Sequence, residues 1–271
     1  MRIGLIIPCH PKHYSYIYNL LDLIDINEKE KDIYIVFSSE SDYNIFEKKE
    51  KIKEIIIPEK TNTNSIVTYK KFFALEKLKN DEKYDYFIAC DAEITIIAEN
   101  FNEENILNKI NKIYDNKEIY AGILNEKNKY YDLAKRITTT STSIFLDREK
   151  LEKETEYNSL YFWWSDLPVY KREHLIDFFN RINYNNLNLY HFDHLIYLSY
   201  LILYHDFNIV NITPVIDHEW SLESYNTKNI ENLEKLKSIN YGFSYITKKL
   251  YDNNKEFLKN EGSFLLYHLD R

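Results

Sequence analysis

The stretch YDYFIACDAEITII, residues 84–97, places two carboxylates, Asp91 and Glu93, directly after an apolar run. The run is rich in aromatic and β-branched residues and predicts a buried strand. Carboxylates are seldom buried without a partner, and two on the same side of a strand end repel each other unless a positive group lies between them. Residues i and i+2 of extended backbone point the same way. The pair therefore predicts a site for a divalent metal, and Mn²⁺ or Mg²⁺ suits carboxylate ligands.

Strands and helices alternate on the N-terminal side of this stretch. Continuous apolar runs predict strands over residues 2–8, 32–39, 53–58 and 87–90 with its flanks. Helical spacing of apolar residues predicts helices over residues 13–24 and 64–78, the second with Asn64 as its N-cap. Strands that are apolar at every position are typical of a sheet covered on both faces, and strand–helix alternation is typical of parallel order. The predicted fold is α/β and Rossmann-like, with a mainly parallel central sheet flanked by helices.

Polar residues follow three of the predicted strands, namely Pro8-Cys9-His10, Ser38-Ser39-Glu40 and Asp91-Ala92-Glu93. Ligands of open parallel sheets bind at the carboxyl ends of the strands. Because parallel strands end at the same edge of a sheet, the three groups together indicate one edge as the candidate site.

The second half of the chain is less regular. The elements predicted there are a helix over residues 105–115, strands over 119–124 and 141–147, a buried helix over 191–207 and a final strand over 208–220. Another helix is predicted to start at Ser165 or Asp166 as N-cap, with Pro168 in its first turn. No repeat or linker is visible, so residues 1–221 are predicted to form one domain and residues 222–271 its C-terminal helical extension.

The composition argues against several functional classes. The net charge of −8 comes without a basic stripe, which argues against nucleic acid as a partner. Four glycines are too few for a P-loop or a GxGxxG dinucleotide site, which need several residues without Cβ near phosphate. Cys9 and Cys90 end apolar runs and are expected to be free buried thiols. No signal peptide or membrane span is predicted, so we expect a soluble cytoplasmic protein with at most peripheral membrane association.

Two N-terminal segments, GLIIPCH (residues 4–10) and NSIVTYKKFFALEKLKNDEKYDYFIACDAE (residues 64–93), resemble the GT-A glycosyltransferases. In that family a DxD motif after a buried strand holds a metal ion, which binds the diphosphate of a sugar nucleotide. Asp91-Ala92-Glu93 is similar to this motif, with Glu where the second Asp is more common. A later segment, FWWSDLPVY (residues 162–170), is similar to bacterial capsule polysaccharide and lipooligosaccharide glycosyltransferases.

The resemblance implies a nucleotide-sugar site at the predicted edge of the sheet. The residues that would bind the nucleotide sugar are Pro8, Cys9, His10, Glu40, Lys70, Lys71, Asp91 and Ala92. Of these, Glu40 would accept a hydrogen bond from the base or the ribose. Either Lys70 or Lys71 would neutralise a phosphate, since only one of two adjacent helix residues is expected to face the edge. The alternative for both lysines is a solvated helix face.

The motif WWSD offers a candidate acceptor site. Trp163 and Trp164 could pack on the apolar face of a sugar ring. Asp166 could be the general base that deprotonates the acceptor hydroxyl. In the alternative interpretation Ser165 or Asp166 merely caps a helix, and both tryptophans lie in the core.

The motif DHEW, residues 217–220, ends the last predicted strand. His218 could be a third metal ligand or a phosphate contact, a role that many GT-A enzymes give to a C-terminal histidine. Trp220 adjoins it and is a third candidate for contact with the acceptor. His191 and His194 form a weaker candidate pair, because they begin a buried helix that Asp193 is expected to cap.

Together these features predict a metal-dependent hexosyltransferase of the GT-A type. The donor would be a nucleotide sugar, expected to be UDP-linked, and the acceptor a surface polysaccharide or lipooligosaccharide. Two alternatives stay open: a nucleotidyltransferase that makes a nucleotide sugar, and a non-catalytic glycan-binding protein with the same fold. The first usually has a Gly-rich loop where this chain has PCHPKHY, residues 8–14, and loss of Asp91 or Glu93 would have favoured the second.

Overall fold

The computed structural model describes residues 2–27, 32–58, 65–128, 130–146, 160–161, 169–211, 245–262 and 265–269. Internal contacts divide the chain into two compact units. The first contains Met1–Ile94, Thr140–Glu152 and Pro168–Tyr200. The second contains Thr95–Thr139, Lys153–Leu167 and Leu201–Arg271. In the described part of the chain, no helix has both the length and the apolar character needed to cross a lipid bilayer.

A five-stranded sheet forms the centre of the first unit. Its strands are β1 (Ile3–Pro8), β2 (Asp32–Phe37), β3 (Lys53–Ile56), β4 (Tyr86–Ala89) and β8 (Val169–Lys171). They lie in the order β3-β2-β1-β4-β8. The first four are parallel to one another, and β8 runs antiparallel to β4. The predicted α/β class with a mainly parallel sheet is confirmed.

Helices of the first unit follow the predicted alternation. They are α1 (Tyr14–Asn27), α2 (Glu40–Asn44), α3 (Ile66–Leu78), α6 (Arg172–Arg181) and the first part of α7 (Asp193–His205), with short 3-10 turns at Pro11–His13 and Lys49–Lys51. The core face of α1 consists of residues three and four positions apart, Ile17, Leu20, Leu21 and Ile24. The predicted N-cap Asn64 is wrong, because α3 begins at Ile66 with Ser65 as its N-cap.

The predicted helix start at Ser165 or Asp166 is also wrong. Val169–Lys171 form β8, which pairs with β4, and α6 begins only at Arg172 with Lys171 as its N-cap. Pairing with a distant strand therefore overrides the local signals of a capping residue and a proline. Ser165 and Asp166 lie outside the described residues. Neither is the N-cap of α6, because that position is occupied by Lys171.

The second unit combines short sheets and helices. Its strands are β5 (Ile94–Ile96, from the last residue of the first unit), β6 (Glu118–Ile123), β7 (Leu160–Tyr161), β9 (Asn208–Asn211), β10 (Tyr245–Thr247) and β11 (Leu266–His268). Its helices are α4 (Glu103–Asn116), most of α5 (Tyr131–Thr142), α8 (Lys248–Asn253) and α9 (Lys255–Asn260). The strand orders are β7-β6-β9 and β10-β11-β5. The C-terminal segment thus contains strands, and the expectation of a wholly helical extension is wrong.

Of the strand predicted over residues 141–147, Ser141 and Thr142 form the end of α5, and Phe145 makes only an isolated antiparallel bridge to Ile182. The β-branched and aromatic residues of STSIFLD favoured a strand by propensity alone. The buried positions of α5 are Ala134, Ile137, Thr138 and Ser141. Their spacing of three and four residues is that of one helix face, and packing of that face outweighs the weak preference of threonine for strands.

Gly4 allows β1 to approach the ring of Phe87 on β4. A Cβ atom added at Gly4 would lie 2.8 Å from Cδ1 and 2.9 Å from Cε1 of Phe87, closer than van der Waals contact permits. We expect Gly4→Ala to lower the free energy of unfolding by about 1–3 kcal/mol through overpacking, measured by urea denaturation. Adding Phe87→Leu should recover part of the loss. An alanine variant as stable as the wild type would show that the ring moves aside without cost.

An ion cluster lies at the amino-terminal edge of the sheet around Asp32, the first residue of β2. Its carboxylate is 2.7 Å from Lys53 Nζ, accepts a hydrogen bond of 2.6 Å from the Tyr84 hydroxyl, and also pairs with Lys83. Burial alone would raise the pKa of Asp32, but the hydrogen bonds from these three partners outweigh burial and hold the pKa well below its usual range. The folded state therefore favours ionised Asp32.

The cluster predicts a pH-dependent stability. Because the folded-state pKa of Asp32 is depressed, its contribution is fully present above the unfolded pKa of about 3.9 and is lost progressively as the pH falls from there through the folded-state pKa. Asp32→Asn should cost about 1–2 kcal/mol at pH 7 and a smaller amount near pH 3, where part of the contribution is already lost, measured by urea denaturation at both values. A cost that is the same at both values would contradict the assignment.

Candidate functional site

The topological switch point of the five-stranded sheet lies between β1 and β4. The chain proceeds from β1 to β2 and β3 on one side, then returns to place β4 on the other side of β1. In open parallel sheets the carboxyl ends of the two strands at such a point border a crevice that binds ligands. Pro8-Cys9-His10 follow β1 and Asp91-Ala92-Glu93 follow β4, so two of the three predicted polar groups lie at the switch point.

A buried ammonium group lies at the end of β4. Lys71 extends from α3, and its Nζ is 2.8 Å from Asp91 Oδ1 and 3.0 Å from Asp193 Oδ1. The side chains of Lys71 and Asp193 are each only 5% exposed, whereas Asp91 is 40% exposed. The second oxygen of Asp193 accepts a hydrogen bond of 2.7 Å from the Tyr170 hydroxyl. Asp193 is therefore held on both oxygens, and Asp91 joins the cluster to the surface.

The charge state of Lys71 follows from these contacts. Burial alone would lower its pKa, but the carboxylates of Asp193 and Asp91 outweigh burial and raise the pKa above its usual value. Lys71 is thus an ammonium ion at neutral pH, fixed by Asp193 at the position where Asp91 meets solvent.

Lys70 reaches the same edge at the end of β1. Its buried ammonium group donates a hydrogen bond to the backbone carbonyl of Cys9, and burial lowers its pKa. The expectation that only one of the two lysines faces the edge is therefore wrong: Lys70 reaches β1 and Lys71 reaches β4. Their long flexible stems let adjacent helix positions reach neighbouring strand ends.

The two cysteines are buried and free, as predicted. Burial raises the pKa of the Cys9 thiol to about 12 and raises that of Cys90 as well. Since a thiolate is the reactive form, neither group is a nucleophile at neutral pH. Cys9 therefore contributes its backbone to the edge.

Asp91 and Glu93 are not related as residues i and i+2 of a strand. β4 ends at Ala89, and Ala92 and Glu93 form a turn before β5. Glu93 Oε1 lies 3.1 Å from His13 Nε2, with the two side chains 24% and 31% exposed. Ala92 is buried, so any contact it makes with a ligand would use its backbone. The two carboxylates thus have different neighbours, the ammonium group of Lys71 and the imidazole of His13.

The carboxylates of Asp91 and Glu93 are the candidate metal ligands near this turn. Among the described residues, no group of three or more His, Cys, Asp or Glu side chains is arranged to hold a metal. Asp91 and Glu93 offer two partly exposed carboxylates in one turn. Mg²⁺ and similar ions are often held by one or two carboxylates together with substrate phosphates and water. The oxygens of Asp91 and Glu93 have the chemistry that such an ion prefers, and no third ligand joins them within the part of the chain that the structure describes.

The other predicted contacts of the nucleotide lie on the same edge. His10 is exposed and is the N-cap of the Pro11–His13 turn, where its Nδ1 accepts a hydrogen bond of 3.3 Å from the amide of Lys12. Glu40 is exposed at the first position of α2, whose N-cap is Ser39. Pro8 is buried at the end of β1.

Several predicted site residues lie outside the described residues, namely Trp163, Trp164, Asp166, His218 and Trp220. The weaker candidates His191 and His194 are described. Burial lowers the pKa of both imidazoles, so both are neutral at pH 7. His191 Nδ1 accepts a hydrogen bond of 2.9 Å from the amide of Asn188.

Sequence reasoning missed Asp193, Tyr170 and His13 as parts of this site. Asp193 was interpreted as a helix cap, yet its carboxylate holds Lys71 from 122 positions away. A local spacing rule cannot detect such a pair. The available signal was that each charge adjoins an apolar run: Lys71 precedes Phe72-Phe73-Ala74-Leu75, and Asp193 begins a largely apolar helix. A charge that is buried requires an opposite one.

Comparison with known proteins adds no relative. The chain matches no protein-family model, and a search of curated proteins returns no match.

Proposed function

We propose that this protein is a metal-dependent glycosyltransferase that transfers a sugar from a nucleotide donor to a glycan or glycolipid acceptor. The observation that carries the proposal is the group of charges at the switch point. Lys70 marks the end of β1, while Lys71, Asp91 and Asp193 mark the end of β4. The finer assignment to the GT-A type rests on the resemblance of residues 4–10 and 64–93.

Asp91 and Glu93 would hold Mn²⁺ or Mg²⁺ in this proposal. The fit rests on the exposure of their carboxylates and on their place in the turn after β4. Bound there, the ion would neutralise charge on the departing nucleoside diphosphate. His218 is the proposed third contact. A site with two carboxylates and a diphosphate satisfies the preference of these ions for oxygen.

Residues of the protein would perform the remaining tasks, which are positioning Asp91, binding the nucleotide and removing the acceptor proton. The ammonium of Lys71 holds Asp91 in place. Lys71 is in turn fixed from the buried side by Asp193, whose other oxygen is held by Tyr170. Backbone groups of Pro8, Cys9 and His10 would border the nucleotide, and Glu40 would accept a hydrogen bond from its base or ribose. Proton removal from the acceptor hydroxyl is assigned to Asp166.

The competing interpretation of Asp166 as the cap of the following helix does not hold, because that helix begins six residues later, at Arg172, with Lys171 as its N-cap. Trp163, Trp164 and Trp220 are the proposed acceptor contacts.

A screen of nucleotide sugars by thermal stabilisation tests the proposal. Mn²⁺ with the correct donor should stabilise the protein, by about 2.7 kcal/mol at a hundredfold excess over Kd, and EDTA should remove the effect. Hydrolysis of that donor should then depend on Mn²⁺. If no nucleotide sugar stabilises the protein in either condition, the proposal is overturned. Release of pyrophosphate from a nucleoside triphosphate and a sugar phosphate would instead identify a nucleotidyltransferase.

A further inference from the structure

A polar cleft of about 610 Å³ lies in the second unit, between α4 and the segment that ends α9. Its lining residues are Asn105, Asn108, Lys109, Asn111, Lys112, Asp115, Asn116, Asn260, Glu261 and Gly262. The volume is within the range of about 300–1,000 Å³ that is usual for small-molecule sites. No residue proposed for sugar transfer is among the lining residues.

The lining is enriched in carboxamide side chains. Five of its ten residues are asparagines, whereas asparagine accounts for 29 of the 271 residues of the chain. At the average frequency of asparagine in the chain, about one of the ten lining residues would be an asparagine. The lining therefore holds about five times as much asparagine as the chain average.

The formal charges of the lining cancel. Two cations, Lys109 and Lys112, are matched by two anions, Asp115 and Glu261. A phosphate or another small anion would gain little net attraction, because binding of such groups depends on an excess of positive charge. A neutral ligand suits the cleft better.

The sequence of α4 produces this lining by helical spacing. Ile106 and Ile110 are buried, and they lie one turn apart on the core side of the helix. The lining positions on α4 recur at intervals of one, three and four residues, the spacing of a continuous helix face. They are Asn105, Asn108, Lys109, Asn111, Lys112, Asp115 and Asn116.

One amide of the lining is fixed in advance. Asn105 Nδ2 donates a hydrogen bond of 3.0 Å to the backbone carbonyl of Asn100. Gly262 lies against the same amide, so that a Cβ added there would be 3.1 Å from both Nδ2 and Oδ1 of Asn105. The absent side chain at position 262 leaves room for the amide beside the backbone, and a preorganised polar group reduces the entropic cost of binding.

We propose that this cleft binds a neutral saccharide. A carboxamide presents a donor and an acceptor side by side, which matches a pair of adjacent sugar hydroxyls. Several such groups on a charge-balanced surface recognise hydroxyls without selecting for phosphate or carboxylate. The proposal goes beyond sugar transfer, because it concerns a separate site in the second unit. Its test does not depend on the roles proposed for Asp91 and Glu93.

The test uses the full chain with ¹⁵N-labelled asparagine, whose side-chain amides are observed by NMR. The probes are the methyl glycosides of glucose, galactose, mannose, N-acetylglucosamine and N-acetylgalactosamine, each up to about 50 mM, because a few hydrogen bonds give a Kd near 1 mM. At least one glycoside should shift a subset of amide signals in a saturable manner. Asn108→Ala with Asn111→Ala should weaken that binding by about tenfold or more.

A matched control is Asn180→Ala, which removes an exposed helical asparagine of α6 outside the cleft and should leave the binding unchanged. Inorganic phosphate is the competing probe and should leave the affected signals in place. The proposal is overturned if none of the five glycosides shifts any amide signal, if the shifts persist with unchanged affinity in the double variant, or if phosphate shifts the same signals. The result does not depend on Mn²⁺ or a nucleotide donor, so failure here is distinct from failure of the transferase.

Discussion

Asp91→Asn is expected to abolish metal-dependent donor binding and to lower sugar transfer by about 10³-fold or more. The amide cannot replace a carboxylate as ligand to a hard divalent ion. The fold should survive, because Asp91 is 40% exposed and Lys71 keeps Asp193 as its buried partner. The measurements are Mn²⁺ and donor titrations by calorimetry, with urea denaturation to verify that the variant is folded.

Asp166→Asn provides the contrasting variant for this experiment. As a general base, Asp166 acts on the acceptor, so its replacement should lower kcat while metal-dependent donor binding stays near normal. Glu93→Asp is a milder change and should weaken Mn²⁺ binding without eliminating it. Wild-type transfer by Asp91→Asn, or by the wild type in EDTA, would exclude the proposed metal site.

Lys71→Met should be the most destabilising single change at the site. It leaves the carboxylate of Asp193, which is 5% exposed, without its cation. Removal of one member of a buried ion pair typically costs about 3–5 kcal/mol. Urea denaturation of the variant should show a loss of this size. Asp193 should respond by binding a proton, so the loss is expected to shrink at acidic pH.

The double variant Lys71→Met with Asp193→Leu separates charge from packing. It removes both buried charges and should recover most of the lost stability, since apolar replacement of a buried pair is often neutral. Lys79→Met is the matched control, because Lys79 pairs with Glu76 on the surface, where both side chains are partly exposed. Its cost should stay below about 1 kcal/mol. A Lys71→Met variant as stable as this control would contradict the buried pair.

The predicted elements of residues 1–94 agree with the structure to within a few residues. β1, β2 and β4 are nearly continuous apolar runs, and each long helix has a core face at helical spacing, so local pattern and tertiary packing favour the same element. The predictions fail where the local sequence pattern and tertiary packing favour different elements. Val169–Lys171 follow a proline that predicts a helix start, yet they form β8 because β4 offers a partner.

The candidate site was predictable only in part. Polar residues after apolar strands located the edge, because parallel order follows from strand–helix alternation. The partners of those residues were not predictable. The contact of Lys71 with Asp193 spans 122 positions, and that of Glu93 with His13 depends on a turn that replaces the expected strand end. Such pairs are set by the tertiary fold, which no local spacing encodes.

The discontinuity of the first unit has a consequence for the order in which the protein folds during synthesis. The five-stranded sheet takes β1–β4 from the start of the chain and β8 from Val169–Lys171, while the buried carboxylate of Asp193 comes later still. A nascent chain that ends near Ile94 has an unpaired edge at β4 and a lysine without its buried counter-charge. Chains normally fold domain by domain from the N-terminus, but the first unit of this one is complete only when about two hundred residues have emerged from the ribosome. Until then the unpaired edge of β4 is of the kind that pairs with other chains.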